Sequence, residues 1–376
     1  MNGGIRLKRI IVDAFGGDHA PLEVLRGCEL AVREFNPNYN PKDQPVQEDV
    51  FDLRIILIGD EDYLRSLAHK EQISLAGMDI VHTESIMPME ADPVEILKKY
   101  DNCSMARGFK LLAEGGGDAF VTAGSTGAAV VGATFLLKRM RGIKRAAIAT
   151  VIPHATGAFL LLDAGANNEC RPEMLLQFGM MGSIYMNKVM GIENPRVGLV
   201  NIGVEANKGT SLQVNARQLL ENAPLNFIGN VEARQVPLGA CDVAVTDGFT
   251  GNVMLKLIEG MAKFFSGEIK GMLKSNPLTM LGSLTLMGGM KRFKSKLDYT
   301  EYGGAPLLGF RGTVIKAHGS SNAKAIKNAI GQAIKCCDNN IIAEIEQAIE
   351  QYKDYTAKAK KAVAAQGGSG DAPEEE

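Results

Sequence analysis

The chain has 376 residues, of which 45% are hydrophobic and 22% are charged, and its formal net charge is -2 at pH 7. This composition is that of a globular protein, and so small a net charge excludes a global field that would attract nucleic acid. The 42 glycines exceed average usage and direct attention to loops that bind anions.

The spacing of the cysteines and the lack of a long apolar segment narrow the possible functional classes further. The six cysteines form no CxxC pair and have no metal-ligand spacing with the five histidines, so we expect reduced thiols and no metal. The N-terminus carries no apolar targeting stretch, and no later run is long enough to span a bilayer. We therefore expect a cytoplasmic protein.

Apolar, β-branched runs recur along the chain, and each is followed by a turn rich in Gly, Asp or Asn and then by a helical pattern. This order is typical of a parallel sheet with crossover helices, in which ligands bind beyond the carboxyl ends of the strands. The predicted strands cover residues 9–13, 54–59, 118–123, 158–163, 196–203, 241–247 and 313–318.

Other segments depart from this alternation. Residues 35–52 read as a surface loop, and the uncharged, Leu- and Met-rich stretch 276–290 predicts a protruding apolar helical hairpin over about residues 262–300. The periodic isoleucines after residue 340 predict an amphipathic helix over about 340–361 that docks on the body. We expect one large α/β domain over residues 1–365 and a disordered tail over 366–376.

Five glycine-containing loops follow predicted strands, at residues 13–21, 122–128, 163–167, 247–252 and 318–322. Glycine allows the backbone to approach a ligand closely, and a following helix N-terminus adds partial positive charge. Any one of these loops could use glycine for tight geometry alone. Together they predict an anion-binding pocket.

Known nucleotide and hydrolase motifs do not fit these loops. The sequence Gly124-Ser125-Thr126-Gly127 lacks the GK[ST] ending of a P-loop, and no GxGxxG follows the first predicted strand. Ser125 also lacks the flanking glycines of a nucleophile elbow. These mismatches disfavour ATP, NAD and a serine hydrolase mechanism.

Six motifs occur in one order between about residues 9 and 334: DAFGGDHAP, TAGSTGA, LLDAGANNECRPE, VNIGVEANKG, DVAVTDGFTGNVMLK and YGGAPLLGFRG…KAHGSSN. In these motifs the chain resembles the phosphate:acyl-carrier-protein acyltransferases of bacterial phospholipid synthesis. The resemblance implies transfer of a fatty acyl group from acyl carrier protein to inorganic phosphate, giving acyl phosphate for phosphatidic acid synthesis. It also implies a homodimer without a cofactor, and a three-layer α/β/α fold with a mostly parallel sheet, like phosphotransacetylases and isocitrate-type dehydrogenases.

This reaction makes modest demands on acid–base catalysis. Phosphate groups are largely dianionic above a pKa of about 6, and a thiol leaving group has a pKa of only about 8.5. The protein must then align two reactants and stabilise an oxyanion, for which amides, cations and backbone N–H groups are suited.

On this logic, one group of residues is assigned to catalysis: Lys208, Asn252, Lys256 and His318. A second group is assigned to substrate binding: Gly16, Gly17, Asp18, His19, Gly124, Ser125, Thr126, Gly127, Asp163, Asn167, Asp247, Gly248, Thr250 and Gly251. Bare carboxylates would repel phosphate, so the aspartates are expected to orient loops, cap helices or pair with lysines. For Lys208 a solvated surface position, and for His318 a backbone-satisfied strand end, remain open alternatives.

Acyl carrier protein is acidic, as the resemblance implies, and its docking needs a local basic surface. The candidates are Arg139 and Arg141 in one cluster, and Lys291, Arg292 and Lys294 in another. The apolar side chains preceding the second cluster are assigned to peripheral membrane contact: Leu278, Leu281, Leu284 and Leu286. Solvated charge, and apolar packing within the dimer or the body, are the respective alternatives.

Two rival functions use the same features. A phosphotransacetylase-like enzyme acting on acyl-CoA would need the same anion pocket and thioester chemistry. A non-catalytic scaffold that binds acyl carrier protein at the membrane would need the basic and apolar surfaces alone.

Overall fold

A computed structural model of the chain describes residues 7–40, 51–154, 156–275, 279, 288–289 and 303–366, with side chains up to residue 353. The strands are β1 (Lys8–Asp13), β2 (Leu53–Gly59), β3 (Met78–His82), β4 (Ala119–Thr122), β5 (Ala147–His154), β6 (Gly157–Leu162), β7 (Val197–Asn201), β8 (Phe227–Glu232), β9 (Val243–Val245), β10 (Ala305–Leu308) and β11 (Thr313–Lys316). The helices are α1 (Leu22–Phe35), α2 (Glu61–Lys70), α3 (Ser104–Ala113), α4 (Thr126–Gly132), α5 (Pro172–Lys188), α6 (Ser211–Glu221), α7 (Gly248–Leu273), α8 (Ala323–Asp338) and α9 (Ile341–Gln366).

All these strands belong to one 11-stranded sheet in the order β3-β2-β1-β4-β11-β10-β5-β6-β9-β7-β8. Strands β3, β2, β1, β4 and β11 form one parallel block, and β6, β9, β7 and β8 form a second. Each predicted strand is present, and the prediction of a mostly parallel sheet is confirmed.

The middle of the sheet differs from the sequence-based expectation. Strand β10 is antiparallel to both β11 and β5, and β5 is antiparallel to β6. The two parallel blocks consequently run in opposite directions. The glycine-containing loops therefore come from two opposing blocks, not from a single edge of one parallel sheet.

Helices cover both faces of the sheet. Successive side chains of β1 point alternately to the two faces and pack against different helices. Ile10 and Val12 join a buried cluster with α1 and α8, whereas Ile11 joins a second cluster with Phe109 of α3. Side chains of successive strand residues point to opposite faces, so a strand buried on both sides reads as a continuous apolar run. This gives the mixed α/β architecture its two cores.

Parts of the predicted periphery lie outside the described residues. Helix α7 continues to Leu273, but residues 276–278, 280–287 and 290–302, which hold most of the predicted hairpin, are not among the described ranges. The same holds for residues 367–376 of the predicted tail. Helix α9 begins at Ile341 and buries Ile341, Ile345 and Ile349 against the body. Among the helices in the described ranges, none combines the length and apolar character needed to cross a membrane.

Candidate active site

A cavity of about 790 Å³ is lined by residues from both parallel blocks and from β5 and β10 between them. Its apolar wall includes Val130, Val131 and Ile148. Its polar lining residues are Asp18, Thr126, Thr150, Asn252, Lys256, Glu259, Lys316, His318 and Ser321. An apolar wall with a few convergent polar groups is typical of a small-molecule site. Six of the residues predicted for the site line this cavity: Asp18, Thr126, Gly127, Asn252, Lys256 and His318.

The loop after β1 is closed tightly onto its neighbours. A Cβ atom at Gly16 would lie 2.7 Å from the backbone nitrogen of Gly124, and Gly17 has a φ of +107°, which side-chain-bearing residues rarely adopt. The Asp18 N–H donates to the Gly319 carbonyl at 2.8 Å. These contacts fix Asp18 at the cavity wall.

The remaining predicted residues of this block are not among those that line the cavity. The Gly124 N–H donates to Thr122 Oγ1 at 3.1 Å. Ser125 occupies the N-cap of α4 without a capping hydrogen bond from its side chain, and His19 is exposed beyond the loop. Direct contact of these residues with a ligand in the cavity therefore remains a prediction.

Asp163 organises the loop after β6. The carboxylate is fully buried, and it accepts hydrogen bonds from the backbone N–H groups of Ile148, Gly165, Ala166 and Asn167. The Asn167 side-chain amide donates to Asp163 Oδ2 at 2.8 Å and to the Ala146 carbonyl at 2.8 Å. Burial raises the pKa of Asp163, and these hydrogen bonds act in the opposite direction. Both side chains therefore hold the loop together.

The N-terminus of α7 is packed directly onto this loop. The Asp247 carboxylate accepts from the Thr250 N–H and from Thr250 Oγ1, each at 2.8 Å, and so caps the helix. A Cβ atom at Gly248 would lie 2.6 Å from the Asn167 carbonyl oxygen, and one at Gly251 would overlap the Asp163 carbonyl oxygen. This close approach sets the position of the next residue, Asn252.

Asn252 and Lys256 lie one helical turn apart and both line the cavity, as their spacing predicts. The Asn252 side chain stands against the backbone of Gly165. Lys256 is largely exposed, and its Nζ lies 3.0 Å from Glu259 Oε2, a carboxylate that also lines the cavity. The pair places an amide and a partly neutralised cation at the same wall.

His318 lies at the opposite side of the cavity, just after β11. Its Nδ1 is 3.2 Å from the Ser320 N–H and 2.9 Å from Ser320 Oγ. Acceptance of the N–H at Nδ1 assigns the proton of the neutral ring to Nε2. Partial burial lowers the pKa of His318, and the charges of Lys316 and Lys256 lower it further. The ring is therefore a neutral donor near pH 7.

Lys316, which the sequence analysis did not single out, is a buried cation in the cavity wall. It is the last residue of β11, and its Nζ donates to the Ala123 carbonyl at 3.4 Å and to the Ala317 carbonyl. Burial lowers its pKa to about 8, while the negative charges of Asp13 and Asp18 act in the opposite direction. Its place directly after the apolar residues Val314 and Ile315, at the end of a strand, was the available signal.

Lys208 is the predicted catalytic residue that the structure does not bring to the cavity. It is exposed in the loop after β7, where its carbonyl accepts from Asn201 Nδ2 at 3.0 Å. Strand β9 separates β7 from β6 in the sheet. A surface position, the alternative for this lysine, fits this placement.

Only one of the two predicted basic clusters lies within the described residues. Arg139 and Arg141 are exposed, and the Arg139 guanidinium donates to the Lys144 carbonyl. Lys291, Arg292 and Lys294 lie outside the described residues. Leu278, Leu281, Leu284 and Leu286 lie outside them as well.

The thiol beside the Asp163 loop is not activated as a nucleophile. The cysteines are free, and burial raises the pKa of Cys170, beside the Asp163 loop, to about 11. A thiol of that pKa is a poor nucleophile near neutrality. In the part of the chain that the structure describes, no three His, Cys, Asp or Glu side chains are placed to hold a metal ion.

Comparisons with solved structures support the fold. The chain is similar to the EutD phosphotransacetylase from Staphylococcus aureus, with a TM-score of 0.54 and 16% identity over 88% of this chain and 94% of that one. A phosphotransacetylase from Streptococcus pyogenes gives a TM-score of 0.53 and 18% identity over 93% of this chain and 98% of that one. At these identities the likeness concerns the fold alone.

Comparisons of sequence identify the family. Residues 8–344 match the family model described as "Fatty acid synthesis protein". A phosphate acyltransferase of Alkaliphilus oremlandii is 45% identical over 92% of this chain and 98% of its own length, and one of Thermoanaerobacter pseudethanolicus is 44% identical over the same shares. The chain therefore belongs to the phosphate acyltransferase family and is an acyltransferase of fatty acid and phospholipid synthesis.

Proposed function

We propose that this enzyme transfers a fatty acyl group from acyl carrier protein to inorganic phosphate and releases acyl phosphate for phosphatidic acid synthesis. The observation that carries the proposal is the composition of the cavity. Val130, Val131 and Ile148 offer an apolar wall for an acyl group, and Asn252, together with the lysines of the same cavity, offers donors for an anion.

The proposed reaction is a nucleophilic acyl substitution. A phosphate oxygen forms the new C–O bond at the thioester carbonyl, whose oxygen becomes an oxyanion. Collapse of this intermediate breaks the C–S bond, and the released thiolate takes a proton from solvent. No residue has to become covalently acylated, which agrees with the raised pKa of Cys170, about 11.

Within this scheme Asn252 and Lys256 are the proposed oxyanion donors. Their shared face of α7 allows both to reach one oxygen, and prepositioned donors act most strongly where negative charge develops in the transition state. His318 would donate from Nε2 on the other side of the cavity. The loops containing Gly16, Gly124 and Gly248 are proposed to hold these groups in position relative to one another.

The aspartates are proposed to hold the loops of the site in place and not to bind the substrate directly. The Asp163 and Asp247 carboxylates accept hydrogen bonds from their own loops. These hydrogen bonds offset the negative charge of each carboxylate, which would otherwise repel an anion in the nearby cavity. Asp18, which lines the cavity, is proposed to balance the local positive charge.

We further propose that acyl carrier protein docks on the exposed basic surface that includes Arg139 and Arg141. Charges at the rim of an interface raise the association rate and make it dependent on salt. The second cluster, Lys291, Arg292 and Lys294, is proposed from sequence alone as an additional contact.

Helix α7 supports the proposals of a homodimer and of peripheral membrane attachment. In the described chain Phe264 and Phe265 are 57% and 50% exposed, and Met272 is 63% exposed. Such an apolar helix face is commonly covered by a partner or by lipid. Membrane attachment would deliver acyl phosphate, a reactive anhydride, close to the site where lipids are made.

A turnover assay tests the function directly. The protein is incubated with acyl-acyl carrier protein or with acyl-CoA, each with and without inorganic phosphate, and acyl phosphate is trapped with hydroxylamine. Phosphate-dependent consumption of acyl-acyl carrier protein is the expected result. Turnover of acyl-CoA alone would instead identify a phosphotransacetylase-like enzyme, and binding without turnover would refute the proposed chemistry.

A further inference from the structure

Lys316 is buried in the cavity wall without a carboxylate partner. Its relative exposure is 6%, and its Nζ contacts the carbonyl oxygens of Ala123 and Ala317. Across the described residues, no carboxylate oxygen lies within ion-pair distance of this ammonium. A structural lysine at a strand end would normally extend its head to solvent or pair with an acid.

The contacts of Lys316 make its charged form energetically unfavourable. Carbonyl oxygens solvate an ammonium only in part, and burial of a charge without a counter-charge is strongly unfavourable. The lowered pKa, about 8, expresses the same cost. An anion entering the cavity would supply the missing counter-charge and would favour the protonated lysine.

The other charged groups around the cavity fill this role only in part, because the negative charges of Asp13 and Asp18 raise the pKa of Lys316 by less than burial lowers it. Asp13 of β1 is buried, accepts from Thr122 Oγ1 at 2.7 Å, and has a pKa raised by burial. Asp18 is exposed and lies in the loop bonded to Gly319. On α7, Glu259 is paired with Lys256 at 3.0 Å.

His318 completes the set of charged and titratable groups that face Lys316. Its pKa is lowered by burial and by the charge of Lys316 itself, so it titrates on the acidic side of neutrality. A change in binding above neutral pH would therefore not come from this ring. Lys316 remains the cation, among the described cavity residues, that has no carboxylate at ion-pair distance.

We infer that Lys316 is the anchor of the phosphate subsite, binding the dianion of the co-substrate as its counter-charge and taking up or retaining a proton as phosphate binds. The identity of the anion rests on the proposed function, because inorganic phosphate is the anionic nucleophile of that reaction. Lys316 would then act on phosphate affinity, while Asn252 and Lys256 act on the oxyanion.

The test uses the full chain and inorganic phosphate alone, in buffers free of other oxyanions. Phosphate affinity is measured by isothermal titration calorimetry and by the rise of Tm with phosphate concentration, since a ligand stabilises the state to which it binds. The variant is Lys316→Met, which keeps an unbranched side chain and removes the charge. The matched control is Lys335→Met, which removes an exposed lysine of α8 that does not line the cavity.

We expect Lys316→Met to weaken phosphate binding at least about tenfold, or about 1.4 kcal/mol. Its Tm without phosphate should equal or exceed that of the wild type, because a costly buried charge has been removed. Wild-type affinity should fall as pH rises through about 8, where Lys316 loses its proton, and the variant should lack this fall. Lys335→Met should behave as the wild type.

Unchanged phosphate affinity in a folded Lys316→Met protein would overturn the inference. Acyl transfer measured on the same preparations separates this result from failure of the proposed function. Normal wild-type turnover with unaltered phosphate binding in the variant would remove Lys316 and leave the function intact. A wild-type protein that neither binds phosphate nor forms acyl phosphate would refute both.

Discussion

Asn252 depends on backbone contacts made by its neighbours. Gly251 and Gly165 allow α7 and the Asp163 loop to approach so closely that the Asn252 side chain is directed along the cavity wall. We expect Asn252→Ala to lower acyl phosphate formation at least about tenfold, because one oxyanion donor contributes about 2.7–4 kcal/mol. Initial rates at saturating phosphate, with Tm as the measure of folding, provide the readout.

Two further variants sharpen the test of Asn252. Asn222→Ala removes an exposed amide at the end of α6, which bonds the Gln218 carbonyl, and should leave the rate unchanged. Lys208→Ala should lower the rate less than Asn252→Ala, because Lys208 does not line the cavity. A larger effect at Lys208 than at Asn252 would contradict the assignment of this cavity as the active site.

The protonation state of His318 gives a prediction for the pH profile. Its lowered pKa, caused first by burial and then by nearby lysines, leaves the ring neutral at pH 7. As pH falls through that pKa, Nδ1 gains a proton and can no longer accept the Ser320 N–H, so the rate should fall. His318→Gln keeps a donor but does not titrate, and it should lack this acid limb. A wild-type acid limb retained in the variant would exclude His318 as its source.

Sequence reasoning singled out some of the residues that line the cavity and missed others, for physical reasons. Asn252 and Lys256 were identifiable because a glycine-containing turn and a helical spacing are local features. Lys316 was not, since its burial depends on β4 and β10, strands that are distant in sequence. Lys208 shows the converse: a lysine beside a glycine has the local pattern of a phosphate contact, and the strand order decides whether it reaches the cavity.

At the scale of elements, the contact between α7 and the loop after β6 determines the geometry of the site. A methyl group at Gly251 would overlap the Asp163 carbonyl oxygen and would lie 3.0 Å from Thr246 Cγ2. We expect Gly251→Ala to lower both Tm and turnover, because the N-terminus of α7 must move away from the loop. Thermal unfolding and initial rates measure the two effects.

Gly260→Ala is the matched control in the same helix. Apart from the backbone of its own helix, no described atom lies within 4 Å of a Cβ atom at that position. Alanine is favoured over glycine in a helix interior by up to about 1 kcal/mol, so Tm should rise while turnover stays unchanged. Equal losses in both variants would show that glycine matters for the helix generally, and that the loop contact is not the cause.

The elements themselves were largely predictable where their signal is local. Strands β1 and β2 contain the apolar runs 10–12 and 55–58, because both faces of these segments are buried. Strands β3, β5, β8 and β10 were not predicted, and neither was the antiparallel direction of β5 and β10. Pairing direction depends on partners far along the chain: β10 pairs with β5 through Leu307 and Ile148.

For the whole molecule, the reversal in the middle of the sheet explains the cavity. One parallel block contributes Asp18, Thr126 and His318, and the other contributes Asn252 and Lys256. Strands β5 and β10 lie between the two blocks and line the cavity with apolar residues. The candidate site thus lies where two oppositely directed halves of the sheet meet, and the proposed reaction would bring the acyl donor and the anion together there.

The surface of the whole molecule leads to the last prediction. The exposed Phe264 and Phe265 of α7, whose rings pack edge to face at 5.4 Å, precede the Leu- and Met-rich residues 276–290 and then the basic residues 291–296. An apolar segment that is followed in the sequence by basic residues is suited to an anionic bilayer, with about 1 kcal/mol from each basic residue near the headgroups. We expect wild-type protein to float with anionic liposomes and Leu281→Glu/Leu284→Glu protein to remain in solution.

Leu238→Glu, at an exposed leucine distant in sequence from this segment, serves as the control and should float. Equal flotation of the double variant would refute membrane contact, and loss of a dimer in light scattering would assign these leucines to packing between subunits.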